Sequence, residues 1–477
     1  MPAPEHLAER ADPRQVSLSA RDARLSGWGR SRPAQVGLLE PSNFAEVGAA
    51  LQLARKRRCP SGTTEALGAS GTVPRGMGRS YGDAAQLEAG LVLDMTRLSA
   101  FELDSETGVL EAQAGAALGD LLRKLVPEGW MLPVVPGTQH VSVGGAFASD
   151  LHGKNHQTAG AFSRHTLAIG LLGSGGEKLE LTHDDELFWA TAGGMGLTGV
   201  ILWARIQLRS IGGPLMSVDI DRVADLDGAC AALQAPGGDY RVAWLDLLGS
   251  TTGRGIVTRA DHLHGGRSLP EAAAPAAVSA RAQVPSRWPA GLLRPAVVRA
   301  FNELRFRTAP RRARGRVESV GRHLFPLDAL DAWPRLYGAA GFLQYQFVVP
   351  FGQEHVLRTV IERLRRRRVR PYLVVLKDFG AAGRGPLSFP IAGWTMAIDL
   401  PRLGPELDDV LDECDVLIAQ AGGRIYLAKD ARLRRGWLGV MYPGLERWRR
   451  VRDEADPIGL WRSDLALRTG LLAEAGT

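Results

Sequence analysis

Residues 73–83 read VPRGMGRSYGD, a turn-rich stretch nearly free of bulky apolar side chains. Gly76, Gly78 and Gly82 let backbone N–H groups approach phosphate oxygens, and Arg75 and Arg79 add positive charge. Glycine spacing alone also describes a tight surface turn. It is not the fingerprint of a nicotinamide-binding Rossmann unit, because GMG is followed by RSYG and the third glycine is misplaced. A second stretch, residues 136–156, reads PGTQHVSVGGAFASDLHGKNH. Gly144 and Gly145 stand where a helix start would admit a diphosphate. His152, Lys154, Asn155 and His156 then place four polar groups close together. A polar loop with satisfied histidines is the plainer reading of that cluster. No carboxylate or cysteine spacing supports a metal, so none is expected.

Outward from these stretches the texture is α+β. Residues 43–57 read as an amphipathic helix with Asn43 and Glu46 as a capping box. Residues 166–181 read as a hairpin with GSGG at its tip. Strands are expected at 91–94, 109–114 and 200–208, and helices at 118–126 and 187–192. A domain boundary is placed near Ser210. Residues 265–316 are rich in Ala, Pro and Arg and suggest a basic, mobile arm or lid. Regular structure resumes with FLQYQFVV at 342–349, whose alternation puts Gln344 and Gln346 on one strand face. Residues 374–379 and 394–400 are further strands, and RRRR at 365–368 lies on a helix.

The composition excludes several classes. With 45% hydrophobic and 23% charged residues the chain is an ordinary globular protein, neither disordered nor fibrous. No run of 18 apolar residues suggests a span, and the first thirty residues lack an apolar signal region, so a cytoplasmic location is expected. Cys59, Cys230 and Cys414 are odd in number and far apart, which predicts no disulfide framework. The net charge of +7 is carried by arginine, since only six lysines occur. Lysine is therefore an informative choice here, because an ammonium loses its proton on burial and a guanidinium does not.

Taken in order, RGMGRSYGD, PGTQHVSVGGAFASDLHGKNH and ELFWATAGGMGLTG resemble the FAD-domain motifs of the vanillyl-alcohol oxidase/p-cresol methylhydroxylase family. Within it, the chain is most similar to the flavoproteins that oxidise a polyprenylphosphoryl ribose. The similarity continues through FLQYQFVVP, VVLKDFG, PLSFPIAGW, GGRIYLAKDAR, MYPGLERWRRVRDEADP and SDLALR, so it covers most of the chain.

The resemblance implies an α+β, two-domain FAD-binding fold of the p-cresol methylhydroxylase type. The FAD domain is built from both chain ends (1–210 and 425–477), and 211–424 forms an antiparallel-sheet substrate domain. It implies that Val73, Pro74, Arg75, Gly76, Met77, Gly78, Arg79, Ser80, Tyr81, Gly82 and Asp83 cradle the FAD diphosphate. Gly137, Ser142, Val143, Gly144, Gly145, Ser149, Asp150, Leu151 and His152 would line the cofactor, with Ile201 and Tyr426 completing the pocket. Lys429, His152, Tyr81 and Gln346 would be the catalytic groups, with Lys429 orienting substrate and acting as base if burial lowers its pKa. Lys377, Gln344, Phe379, Thr395 and Ala397 would join Gln346 on the substrate side.

Two departures carry chemistry. Relatives that attach FAD covalently use a histidine where this chain has Arg79, so noncovalent FAD is expected. Relatives with a cysteine beside the flavin have it where Ala397 stands, so thiol-directed inhibitors are not expected to label that position. Thr395 replaces an asparagine. The loop 61–71 is longer than the family pattern, with no functional reading.

The implied reaction is oxidation of the 2'-hydroxyl of a polyprenylphosphoryl ribose, with a separate NADH-dependent keto-reductase completing epimerisation. A lipid-linked substrate and no span predict peripheral contact with the inner membrane. The basic runs at 305–316 and 363–370 are the candidates. No aromatic interleaving accompanies them, so nucleic acid is not an expected partner. The alternatives are an oxidase or dehydrogenase of soluble sugars, alditols or aldonolactones on the same fold, and a flavin- or polyanion-binding protein without catalysis.

Overall fold

The computed structural model describes residues 18–58, 71–249, 253–263, 276–285, 293–402 and 404–472. The loop at 61–70 and Cys59 lie outside them.

The first sheet orders Arg21–Leu25, Ala34–Leu39, Leu91–Asp94 and Thr72–Arg75. Its last three strands are parallel because the Phe44–Arg58 helix crosses between them. The Asn43 side chain accepts from the Glu46 N–H at 2.9 Å, and the Glu46 carboxylate reaches back to the Ser42 N–H at 2.7 Å, one residue earlier than the capping-box pattern. A five-stranded antiparallel sheet follows, in the order Phe101–Asp104, Val109–Gln113, Val200–Gln207, Thr166–Leu172, Lys178–Thr182. The Val143–Ala148 helix packs on it. The chain end returns here: Trp461 bridges to Thr72, and Arg468 of the Asp464–Thr469 helix grips Asp83 bidentately at 2.7 and 2.8 Å.

The second unit is an eight-stranded sheet, from Arg312–Ser319 through Leu215–Val223, Arg254–His262, Tyr240–Asp246, Leu373–Phe379, Gly393–Pro401 and Phe342–Pro350 to Arg424–Ile425. All of its pairings are antiparallel. Helices Leu226–Gln234, Glu354–Arg366 and Pro405–Gln420 cover one face with a shared apolar core. The other face looks toward the first unit. This is the mixed architecture expected, with a large antiparallel sheet.

One expectation fails in part. Residues 295–308 are a helix with Pro295 at its first position, and residues 312–319 are an edge strand paired with Leu215–Val223. They are not an irregular arm. Residues 264–275 and 286–292 of the same stretch lie outside the described residues. The second basic run is also largely committed: Arg363 and Arg367 share Glu413, and Arg366 pairs with Glu362.

Candidate active site

Three adjacent strands of the large sheet, Leu373–Phe379, Gly393–Pro401 and Phe342–Pro350, build the floor of a cleft between the two units. Their register aligns Lys377 with Thr395 and Val348, Val375 with Ala397 and Gln346, and Leu373 with Asp399 and Gln344. Because side chains alternate across a strand, all nine point to the same face. The middle rung is small and apolar apart from Gln346, and polar groups stand at either end. The cleft holds about 310 Å³, within the range of small-ligand pockets.

The opposite wall is the loop after Thr72–Arg75. Pro74, Arg75, Gly76, Met77, Gly78, Arg79, Ser80 and Tyr81 all line the cleft. Among the described residues nothing accepts a hydrogen bond from the N–H groups of Gly76, Met77, Gly78, Arg79 or Ser80. Five neighbouring donors without a recorded acceptor, on residues that line a cavity, fit a diphosphate. Gly78 has φ +63°, and Arg75 is pinned beneath it by the carbonyls of Ser26 and Ala85. The Arg79 guanidinium lies 4.0 Å over the Trp28 ring and donates to Met77 O, and its Nε is buried without a partner. Gly137, Ser142, Gly144, Gly145, Ser149, Leu151, His152, Ile201 and Tyr426 also line the cleft.

Several expected contacts are supports instead. The start of the Val143–Ala148 helix offers no free donors. Val143 N–H bonds Ala116 O, Gly144 N–H bonds Ala114 O, and Gly145 N–H is capped by Ser142 Oγ. Gly144 is small because a Cβ there would meet Ala114 Cβ at 2.9 Å. Val73 and Val143 are fully buried in apolar cores. Gly82 lies off the cleft, and a Cβ there would come within 2.0 Å of Asp430 O. Asp83 is occupied by Arg468. Asp150, at φ +40°, accepts from Ser388 Oγ and Ser163 N–H and bolts two loops together. Phe379 packs behind His152, ring centroids 4.7 Å apart. Thr395 is buried under Gln346, accepting from its amide at 3.2 Å and donating to Phe347 O. Of the polar cluster at 152–156 only His152 reaches the cleft; Lys154 bonds His323 O, Asn155 bonds Pro133 O, and His156 accepts from Gly380 N–H.

His152 links both sides of the site. Its Nδ1 lies 3.0 Å from Lys377 Nζ and its Nε2 lies 3.1 Å from Gln346 Nε2. Burial first, then the nearby Lys377 charge, hold the ring well below its usual pKa, so it is neutral. With the Gln346 amide as placed, its N–H donates to a bare Nε2 and the ring proton sits on Nδ1. Lys377 must then accept as an amine. That agrees with its pKa of about 7, lowered by burial and by Lys429. Lys429 lies on the turn that follows Arg424–Ile425, its Nζ 3.8 Å from the Tyr81 ring centre. Burial lowers its pKa to about 7 as well, against the opposing pull of Asp399. Two of the six lysines are thus amines poised near neutrality within one cleft.

Sequence reasoning missed Asp399. Its carboxylate accepts from Gln344 at 2.6 Å and Tyr337 at 3.2 Å, and burial raises its pKa to about 6. Gln344 also donates to Tyr81 Oη at 3.2 Å. The signal was available, because Asp399 shares strand parity with Thr395 and Ala397. Trp28, Asp328 and Trp333 also line the cleft and carried no sequence signal, and Met195 of the GGMGLTG motif joins them.

Residues 36–182 match the model of a family described as "FAD binding domain". The chain is 36% identical over 464 residues to the decaprenylphosphoryl-beta-D-ribose oxidase of Mycolicibacterium smegmatis, covering 94% of this chain and 98% of the relative. The chain belongs to the p-cresol methylhydroxylase-type family of FAD-dependent oxidoreductases. It is also 40% identical over 366 residues to an uncharacterized Streptomyces coelicolor protein encoded in the mprA 5' region, covering 74% of this chain and 99% of that one. The fold is that of the xylooligosaccharide oxidase of Myceliophthora thermophila C1, with a TM-score of 0.67 and 17% identity over 96% of this chain and 98% of that one. Family membership supports FAD as the cofactor, and the five N–H groups without an acceptor among the described residues fit its diphosphate. No helix among the described residues is long and apolar enough to cross a membrane.

Proposed function

We propose that this protein binds FAD without a covalent bond and oxidises the 2'-hydroxyl of a polyprenylphosphoryl ribose to the 2'-ketone. The observation that carries the substrate is the near full-length similarity to the decaprenylphosphoryl-beta-D-ribose oxidase. Arg79 supports noncovalent binding, because a guanidinium does not replace the histidine that bonds flavin in covalent relatives.

Bound FAD supplies the two-electron acceptor for the carbinol hydride. The residues of this chain handle the proton and the geometry. Lys429 as a neutral amine accepts the hydroxyl proton, which its lowered pKa permits near pH 7. Asp399, held by Gln344 and Tyr337, faces the ammonium so formed. Neutral His152, clamped between Lys377 and Gln346, positions the opposite end of the floor. Val375 and Ala397 leave the middle of the floor open for the sugar, and Leu373 and Leu327 add apolar lining. The ketone leaves for a separate NADH-dependent keto-reductase, which completes epimerisation to the arabinose donor.

The test compares turnover of a polyprenylphosphoryl ribose with that of xylobiose, an alditol and an aldonolactone, with product mass read directly. The account expects a product two hydrogens lighter from the lipid-linked ribose and little from the free sugars. The reverse preference refutes the substrate.

A further inference from the structure

The Pro295–Thr308 helix has two faces of different character. Val298, Asn302 and Phe306 face the large sheet: Asn302 donates to Asp246 at 2.9 Å, and the Arg254 guanidinium lies 4.6 Å over the Phe306 ring. At 100° per residue, Val297, Phe301 and Leu304 form a second stripe roughly 130° away. They are 53%, 59% and 63% exposed, three of the four most exposed large apolar side chains among the described residues. From 295 to 316 the chain carries seven arginines and one acid. Arg299, Arg311 and Arg312 are exposed, whereas Arg314 is engaged by Asp219 and Asp221. The helix start is also tied to the residue before the Leu373–Phe379 strand of the cleft floor. Tyr372 Oη donates to Leu293 O at 3.0 Å, and the next residue, Leu373, lines the cleft wall.

We infer that this helix is an in-plane anchor: its Val297–Phe301–Leu304 stripe enters the headgroup boundary of an anionic bilayer and brings the cleft mouth to the lipid surface. An apolar stripe flanked by arginine is the pattern of an interfacial helix. Charge complementarity selects an anionic lipid surface, because the flanks are basic and nearly free of acids. A stable protein interface takes about 20–30 residues a side, and a three-residue stripe does not approach that. Shallow immersion needs no more than such a stripe. The inference rests on the lipid-linked substrate, which gives the cleft a reason to sit at a bilayer.

Sedimentation of the FAD-loaded protein with phosphatidylcholine vesicles, with and without phosphatidylglycerol, tests it. The wild type is expected to pellet with the anionic vesicles. Phe301→Ser/Leu304→Ser should lower partitioning by about tenfold or more. Arg311→Gln/Arg312→Gln should lower it by about fivefold per charge, and high salt should mimic that loss. Neither variant should alter melting temperature or turnover of a short-chain, water-soluble polyprenylphosphoryl ribose. Vesicle binding that is absent in the wild type, or unchanged in the serine variant, overturns the inference. So does a serine variant that changes oligomeric state instead, which makes the stripe an interface between copies. Vesicle binding that depends on the stripe, combined with no turnover of any polyprenylphosphoryl ribose, leaves the anchor standing and sinks the substrate reading.

Discussion

Replacing Lys429 by methionine removes the proposed base while keeping an unbranched side chain over the Tyr81 ring. The magnitude follows from its surroundings. Burial lowers the Lys429 pKa to about 7, so about half the amine is neutral at pH 7. Only the neutral form takes a proton, so substrate-driven flavin reduction should rise with pH and level off above about 8. Below about pH 6 it should fall by about tenfold per unit. Lys429→Met should lose about 10²–10⁴ in that rate and lose the limb as well. Asp399→Asn supplies an internal check. Asp399 raises the Lys429 pKa, so removing its charge should move the limb to lower pH. The assay is anaerobic stopped-flow reduction across roughly pH 5–9. A wild-type rate without a limb, or an unchanged limb in Lys429→Met, refutes the assignment. The same shift has a thermodynamic side. The unfolded lysine binds a proton up to about pH 10.4 and the folded one only to about 7, so Lys429 favours the folded state increasingly as pH rises between those values.

Arg468→Met should cost about 3–5 kcal/mol in denaturant unfolding, because it strands Asp83 and Asp430, both at most 5% exposed. That deficit should shrink as pH falls and Asp430, whose pKa the Arg468 charge lowers against the opposing effect of burial, protonates; a pH-independent deficit refutes the ion-pair account. Gly82→Ala should lower retained FAD per chain, since its Cβ would meet backbone at Asp430 O and force the glycine loop away from the Lys429 segment. Flavin content equal to wild type counts against that coupling. Ala397→Cys should gain one thiol label relative to wild type by intact mass, and substrate should protect it. Burial holds the Cys230 and Cys414 thiols up at about 12, so neither contributes near neutral pH.

Much of the cleft was legible because strand parity survives folding. Gln344 and Gln346 share a face in FLQYQFVV, and the register extends that face to Ala397 and Lys377. The same parity points at Asp399, which no motif in the sequence singled out. The glycine-rich helix start misled because sequence does not reveal whether a donor is already taken. Ala114 and Ala116, far upstream, accept the N–H groups that a ligand would need. Phe379 and Thr395 share the parity of the cleft face, yet depth places them one layer behind His152 and Gln346. Residues 295–316 read as part of a 265–316 arm because arginine and alanine mask their period. Their helix packs through only a narrow stripe, and their strand is a sheet edge, where charged residues are normal.

Anaerobic titration of the purified protein with a polyprenylphosphoryl ribose, followed by acid precipitation, tests the central claim most directly. The account predicts one FAD per chain, bleached in proportion to substrate and released to the supernatant by acid. A protein without flavin, flavin that substrate does not bleach, or flavin that stays with the pellet contradicts binding, reaction or noncovalent attachment respectively.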